Sequence, residues 1–588
     1  MRLAVWFGLL TGIVEAAVSL MLPALGTPTR VSMEILWIAP AVNAGLFVLA
    51  GISMALTSRV LHAVRHDAAV MSVCVSLTAF ACLLVADLIE PWSALVLAAG
   101  VGIAVGRHAT TRRRIRTVAV RAWRPVVLMA CALGVAGFAW HPVAERISRA
   151  GLPPVGEAAP NVLLVVLDTL RADHVSAYGY ARSTTPRLDG LAEHGVLFEQ
   201  AFANSSWTLP SHASLLTGRL PGEHGADWRE PMRAGIPTLA EAFAARGYAT
   251  AAFAANTSYV APEWGLGPGF TRFEVYGSSW ADDVVRTAYG RRLALNLLPR
   301  LGYFDIPGRK RAPEVNREFL SWLDAADGRP FFAFLNYLDV HDPYVTDAPH
   351  HQRFSTDAAR GDVINFQFQP HAFRRQAGIT AAEIQAEIDA YDGCLTYLDE
   401  HLGRLFDEIA RRGLDGSTLV VVTSDHGESF GEHDLFGHGN SLFLESLHVP
   451  LIVSWPGHVP AGVRVAGPVG LDRVARTIDE LARPDAASAF PGRSLVDSWR
   501  TDRRIDEPVI SEVTGVPEGP AGYPTSRGSL TSLLTREWHL IQSASGGVEL
   551  YAWVTDRSER TNLAGTAEGG PVVDALRRTA ERLRSRTP

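Results

Sequence analysis

The sequence predicts a multi-helix membrane domain at the N-terminus followed by an α/β domain. Three observations predict it. Apolar residues in the first 142 positions come in long blocks, whereas the rest reads as an ordinary globular mixture. Beyond them, short apolar runs rich in β-branched residues alternate with helical patterns, as expected of a parallel sheet covered on both faces. Side chains of metal-binding or acid–base type directly follow several of those runs, where ligands gather in open α/β sheets. At 588 residues the chain is long enough for two or three units. It is 47% hydrophobic with a net charge of -7, which excludes a disordered chain and a general nucleic-acid binder.

Five apolar stretches fall at about 3–22, 35–56, 69–89, 92–106 and 126–142, each judged against the ~20 residues that span a bilayer. The first has the look of a signal peptide, but no small-residue cleavage site ends it, so it reads as a retained helix. Arg59 and Arg65 lie between the second and third stretches. Arg107, Arg112, Arg113, Arg114, Arg116, Arg121 and Arg124 lie between the fourth and fifth. The positive-inside rule places both loops in the cytoplasm, with the N-terminus inside and everything after Trp140 outside. The Arg cluster reads as an anchor for helix ends. Glu15, Glu34 and Asp87 lie in or near apolar blocks and are functional candidates on that ground. Glu34 and Asp87 equally fit interfaces, and the sequence names no partner for Glu15. Cys74, Cys82 and Cys131 belong to the apolar part, so Cys394 has no partner in the soluble part and reads as a small buried hydrophobe.

A Pro- and Gly-bearing linker at 150–156 leads to the run Asn161–Leu167, with similar runs at Phe331–Leu338, Thr418–Thr423 and Pro450–Ser454. Helical patterns lie between them at Thr238–Arg246 and Ala381–Arg411. The division expected is a transmembrane region at 1–142, a linker at 143–160, a catalytic domain at 161–500 and a C-terminal subdomain with its tail at 501–588. Asp168 follows the first run, Asp339 and His341 the second, and Asp425 and His426 the third. Three strands thus bring such side chains to one rim.

The segment Ser206–Gly218 places the hydroxyl of Thr208 just before a helix start. An alcohol of this kind is a poor nucleophile in water, but beside a divalent metal it can lose its proton and attack. Each residue also has a plainer reading. Thr208 would cap the helix, and Asp168 the turn after its strand. His341 and His438 singly fit satisfied structural histidines as well as functional ones. His224 and His433 read as structural, Glu428 and Glu432 as loop charges, and Arg171 with Asp173 as a buried ion pair near the site. The joint occurrence favours chemistry.

In order along residues 160–565, the landmarks resemble the sulfatase branch of the alkaline phosphatase superfamily. They are Leu167-Asp168-Thr169-Leu170-Arg171, Thr185-Pro186-Arg187-Leu188-Asp189, the Thr208 segment through Leu216-Thr217-Gly218, Asp339-Val340-His341-Asp342-Pro343-Tyr344, Ser424-Asp425-His426-Gly427-Glu428, Gly437-His438-Gly439 and the closing Glu549-Leu550-Tyr551. The resemblance implies a mostly parallel sheet sandwiched by helices, alkaline phosphatase-like, with a smaller C-terminal sheet subdomain. It implies metal ligation by Asp168, Asp425 and His426, with Thr208 both nucleophile and ligand. It also implies contacts of His341 and His438 with the transferred or leaving group.

Departures from that branch narrow the expectation. Sulfatases carry Cys or Ser at the position of Thr208, oxidised to an aldehyde; oxidising Thr would give a ketone. His212 stands where the signature has Arg, and Thr169 replaces the second of two paired acids. The Lys and His that hold sulfate would fall near Ala255 and Thr257, and Lys310 is the only lysine in the chain. A Thr nucleophile behind membrane helices is similar instead to lipoteichoic acid synthases and phosphoethanolamine transferases. The expectation is a metal-dependent hydrolase or transferase acting on phosphodiester or phosphomonoester groups of an envelope or lipid-linked substrate. Manganese or zinc is expected over calcium, with Asn256 and His212 as polar contacts to the substrate. The alternatives are a true sulfatase and a non-catalytic membrane-anchored binding protein.

Overall fold

The computed structural model describes the whole chain except residues 1, 23–31, 60–66, 87–88, 157–158, 278, 304, 327, 355–377, 485–486, 501–506 and 585–588. Arg65 and Asp87 therefore lie outside the described residues. The chain forms two compact units: Met1–Ala150 with Gly277–Tyr303, and Gly151–Tyr276 with Phe304–Pro588. The excursion Gly277–Tyr303 interrupts the second unit in sequence, something a division by chain order alone does not include.

The first unit holds α1 (Arg2–Met21), α2 (Ile35–Thr57), α3 (Asp67–Ala86), α4 (Pro91–Arg107), α5 (Ala109–Arg121) and α6 (Trp123–Ala150). Among the described residues α1, α2, α3 and α6 are long and apolar enough to cross a membrane. The fourth apolar stretch gives the shorter α4, bent by 93° from the Arg-rich helix that follows, so this pair adds at most one further span. α6 runs past the expected end at 142 because its last turns change character: Glu145 and Arg149 pair four residues apart at 2.7 Å. Two small-xxx-small patterns draw the helices together. A Cβ on Gly12 of α1 would lie 2.3 Å from Pro40 Cα of α2, and one on Gly102 of α4 would lie 2.4 Å from the Ser72 carbonyl of α3. Only a missing side chain permits these approaches.

The second unit is built on a mixed, mostly parallel sheet. Its strands are β1 (Asn161–Leu167), β2 (Val196–Phe202), β3 (Ala249–Ala254), β4 (Arg272–Glu274), β5 (Phe331–Tyr337), β6 (Thr418–Thr423), β9 (His448–Val449), β10 (Leu451–Ser454) and β11 (Val463–Gly470); β7 (Ser429–Phe430) and β8 (Phe436–Gly437) form a separate ribbon. The order is β11-β2-β10-β6-β1-β5-β3-β4, with β9 beside β2. β1 lies centrally, parallel to both β5 and β6, while β10 runs antiparallel between β6 and β2. All of β1 is buried, and its side chains alternate between two cores. Val162, Leu164 and Val166 face one that includes the helix Thr208–Thr217. Leu163, Val165 and Leu167 face the other, with the helices Ala312–Asp324 and Ala381–Arg411. The strict alternation of a strand therefore serves two apolar faces, which is why the run carries no polar residue after Asn161.

A second sheet, β12 (Val509–Val513), β13 (Leu530–Leu534), β14 (His539–Ser543) and β15 (Val548–Tyr551), is antiparallel throughout. The helix Gly569–Arg584 covers it through Val573, Leu576 and Ala580. Because β1, β5 and β6 run in parallel, the residues after them leave the sheet at one edge.

Gly12→Ile forces a branched side chain into the α1–α2 contact. It is expected to lower the thermal unfolding temperature of the detergent-solubilised chain. Unchanged melting would show that the close approach carries no stability.

Candidate active site

Asp168, Asp425 and His426 meet at that edge, fully buried, each with a ligand-type atom within 4.8 Å of the others. The backbone is shaped to hold them. Thr169 adopts φ 61, a conformation unusual for a β-branched residue. In this pose its N–H donates to Asp425 Oδ1 at 3.1 Å while its hydroxyl donates to the Val340 carbonyl at 2.9 Å. The His426 N–H also donates to Asp425 Oδ1, at 2.9 Å. Ser424 ties the two loops together by accepting from Leu170 N at 2.8 Å and donating to the His426 carbonyl at 2.7 Å.

The remaining atoms point inward without partners. Asp168 Oδ1 and Asp425 Oδ2 are buried and have no hydrogen-bond partner among the described residues. His426 Nδ1 donates to the Gly427 carbonyl at 2.9 Å, which leaves the Nε2 lone pair free to face Asp425 Oδ2 at 3.3 Å. Burial and the neighbouring Asp168 charge push Asp425 well above the usual carboxylate range, and burial with the charge of His438 holds His426 well below the usual imidazole range. Two unsatisfied carboxylate oxygens and a neutral imidazole nitrogen are the donor set of a divalent cation. The residues fit such an ion.

Thr208 opens the helix Thr208–Thr217, and its Oγ1 lies 3.3 Å from His426 Nε2. The helix is fastened from behind: Ser211 Oγ donates to the Asp425 carbonyl at 2.5 Å, and His212 Nδ1 donates to the Thr208 carbonyl at 2.8 Å. The buried His224 side chain lies 3.1 Å from both Ser214 Oγ and the Pro210 carbonyl, a structural role. The hydroxyl of Thr208 therefore does not cap its own helix. The first-turn amides of Thr208 and Leu209 have no carbonyl one turn back and remain available to an anion.

His341 and His438 stack edge to face with ring centroids 5.0 Å apart, and His438 lies 4.5 Å from the ring of His426. His438 Nδ1 donates to Glu428 Oε1 at 2.9 Å, and Glu428 also accepts the Tyr344 hydroxyl. Burial opposes the charged form of His438, but the hydrogen bond and charge of Glu428 prevail and raise its pKa. Burial and the charge of His438 lower that of His341. The two imidazoles are thereby shifted in opposite directions. Arg309, itself buried, fixes the loop by donating to the carbonyls of Leu338, His341 and Pro343.

Several expectations are revised by this geometry. Asn256 does not face open space: Nδ2 donates to Asp168 Oδ2 at 2.8 Å, and Oδ1 accepts the Ser258 and Tyr259 amides, so it positions a carboxylate. His212 is fully buried, with Nδ1 on the Thr208 carbonyl and Nε2 3.4 Å from Asn336 Nδ2, so its ring braces the first turn of the Thr208 helix. Asp339 turns away to accept the Ala312 amide at 3.1 Å, capping a helix. Glu428 is buried rather than a loop charge, and Glu432 pairs with Arg171 at 2.7 Å, beside the Arg171–Asp173 pair. Asn336, which reaches Asp168 Oδ2 at 3.4 Å, was not among the expected residues; a lone amide in the run Phe331–Tyr337 was the available signal. Lys310 is buried against Glu318 at 2.6 Å.

The fold and this edge define a hydrolase of the alkaline phosphatase superfamily. The sulfatase family model matches residues 160–483, and the chain belongs to that family. It is 26% identical to the multifunctional alkaline phosphatase superfamily protein PehA of Trinickia caryophylli, over 69% of this chain and 91% of the relative. It is 25% identical to a choline-sulfatase of Rhizobium meliloti, over 71% and 84%. Among solved structures, the phosphonate monoester hydrolase of Agrobacterium radiobacter superposes with a TM-score of 0.56 at 23% identity, over 72% of this chain and 95% of that one.

A Cβ on Gly427 would lie 2.0 Å from the Glu445 carbonyl. Gly427→Ala is therefore expected to displace the Asp425–His426 turn and abolish metal-dependent stabilisation, as thermal shifts with and without added manganese would show. Burial pushes the Glu445 carboxyl up to about 8 from the ordinary 4.5 of a glutamate. The folded chain then holds a proton there that the unfolded chain has lost, so stability falls as pH rises between those two values and levels off above. Glu445→Gln should flatten that decline in denaturant titrations from pH 5 to 9; an unchanged slope would place the titration elsewhere.

Proposed function

We propose that the chain cleaves or transfers a phosphate-type ester, phosphodiester or phosphomonoester, with Thr208 as nucleophile and metal ligand alongside Asp168, Asp425 and His426. One observation carries the reading: Thr208 Oγ1 lies 3.3 Å from the same His426 nitrogen that completes the cation-binding group. The nucleophile is an alcohol that cannot become an aldehyde, and no lysine approaches it, which favours phosphate over sulfate. Imidazole with carboxylates suits manganese or zinc better than calcium.

When bound, a divalent ion supplies positive charge that lowers the pKa of the Thr208 hydroxyl and balances the oxygens of the substrate. The residues do the rest. Thr208, its hydroxyl proton released to solvent, forms a bond from Oγ1 to phosphorus in line with the ester oxygen, whose bond breaks; the second displacement returns Oγ1 to the same deprotonated state. The proton for that leaving oxygen comes from His438, held charged by Glu428, while the neutral His341 orients it. The amides of Thr208 and Leu209 donate to the transferred group. Water or an acceptor alcohol then attacks phosphorus, gives its proton back to the His438–Glu428 pair, and frees Thr208. Acting behind α1–α3 and α6, the domain would meet a lipid-linked or envelope substrate outside the membrane.

Sulfate ester hydrolysis is the second reading, favoured by the family and by the choline-sulfatase relative. Intact-mass analysis after separate phosphodiester and sulfate-ester panels decides between them. An adduct mapped to Thr208 from phosphodiesters alone supports the proposal, and one from sulfate esters alone overturns it. Thr208→Ala is expected to lower turnover by on the order of 10³-fold or more, with Thr208→Ser retaining part of it. Removing metal with a chelator should abolish turnover and lower the melting temperature, because Asp168 and Asp425 then face each other unbalanced. Turnover that survives both changes would refute the assignment.

A further inference from the structure

Glu15 is a carboxylate inside an apolar helix, and the structure supplies its partner. Its Oε1 accepts the Ala288 amide at 2.6 Å and its Oε2 accepts Asn43 Nδ2 of α2 at 2.7 Å. Ala288 opens the helix Ala288–Leu297 in the excursion Gly277–Tyr303, which by sequence interrupts the sulfatase-family region. The first turn of that helix thus meets the buried side-chain oxygens of Glu15. Its neighbour Tyr289 donates its hydroxyl to the Leu77 carbonyl of α3 and packs on Phe80 with ring centroids 5.8 Å apart. Arg286 pairs with Glu34 at 2.7 Å and also donates to Ser32 Oγ.

These contacts are set deep. At 1.5 Å per residue Glu15 lies about 9 Å from the Met21 end of α1, and Leu77 about 14 Å from the Ala86 end of α3, within a hydrocarbon layer of roughly 30 Å. The other face of the excursion is apolar and uncovered: Trp280 is 80% exposed, Leu293 57% and Leu301 61%, with Leu295, Leu297 and Tyr303 beside them. Leu49, Val96, Val135 and Phe138 of the long helices are exposed in the same way. In water such a face costs about 25 cal/mol for each Å², and it belongs to the same compact unit as α1–α3 and α6, which are long and apolar enough to cross a membrane. Arg292 and Arg300 supply charges that suit the headgroup level.

We propose that Gly277–Tyr303 is a membrane-inserted hairpin, latched by Glu15 and Glu34, whose leucine face is covered by the acyl chains of the bilayer. It gives the family domain a second hold on the membrane besides the connection after α6, and it gives Glu15 a positioning role. The inference rests on the membrane reading of α1–α3 and α6.

The test uses the full chain in phosphatidylcholine/phosphatidylglycerol vesicles, with Leu297→Cys and Glu537→Cys compared for reaction with a membrane-impermeant maleimide above the wild-type background. Glu537 is exposed on the loop after β13. The expected result is labelling at position 537 in intact vesicles and at position 297 only after detergent is added. Adding Glu15→Ala to Leu297→Cys should raise labelling in intact vesicles towards that at 537, whereas Glu15→Gln, which keeps an acceptor for Ala288, should not. Equal labelling at both positions in a chain that floats with the vesicles overturns the hairpin and leaves the membrane reading standing. A chain that does not float overturns both.

Discussion

Two carboxylates that cannot both stay ionised without a cation govern this molecule. Asp168 and Asp425 are completely buried, and each keeps one oxygen without a hydrogen-bond partner among the described residues. Such an arrangement is costly in isolation and becomes favourable only when positive charge enters. The other oxygens are held by Asn256, Thr169 and the His426 amide. Much of the surrounding architecture keeps this geometry from relaxing. The left-handed Thr169, the close approach at Gly427, the Ser424 link between loops and the Ser211 bond to the Asp425 carbonyl all resist separation of the two acids.

Thr208 is placed by the same device. Ser211 ties the first turn of the Thr208 helix to the Asp425 carbonyl and His212 braces that turn, so the Thr208 hydroxyl lies 3.3 Å from His426 Nε2. Glu428 acts one step further out: it belongs to the same turn as His426 yet sets the charge of His438. Thr208, the Asp168–Asp425–His426 group and His438 are therefore linked through a few backbone positions around Asp425, which makes the turn Asp425–Glu428 the joint of the site.

Membership of the sulfatase family describes the scaffold, while the particular residues describe the chemistry. Against the sulfatase pattern the sequence resembles, Thr208, His212 and Thr169 stand where that pattern has Cys or Ser, Arg and an acid. Thr169 spends its hydroxyl on Val340, and Asn256 and Asn336 spend their amides on Asp168.

Much of this was readable from the chain itself. Unbroken apolar runs identified β1, β5 and β6, because a strand buried on both faces tolerates no polar alternation, and the helix Ala381–Arg411 showed its period plainly. Asp168, Thr208, Asp425 and His426 were legible because polar groups at the ends of such strands demand partners. The protein partners of Asn256 and His212, the Asp168 carboxylate and the Thr208 carbonyl, were not legible, since nothing local says which neighbour a polar side chain faces. Glu428 was taken for a loop charge because burial of a turn depends on what packs over it. Glu15 waited for a partner 273 residues away. Periodicity and the placement of charges along the chain determined the elements; the hydrogen-bond partners of buried polar atoms were decided by tertiary structure, because they come from segments that only folding brings together.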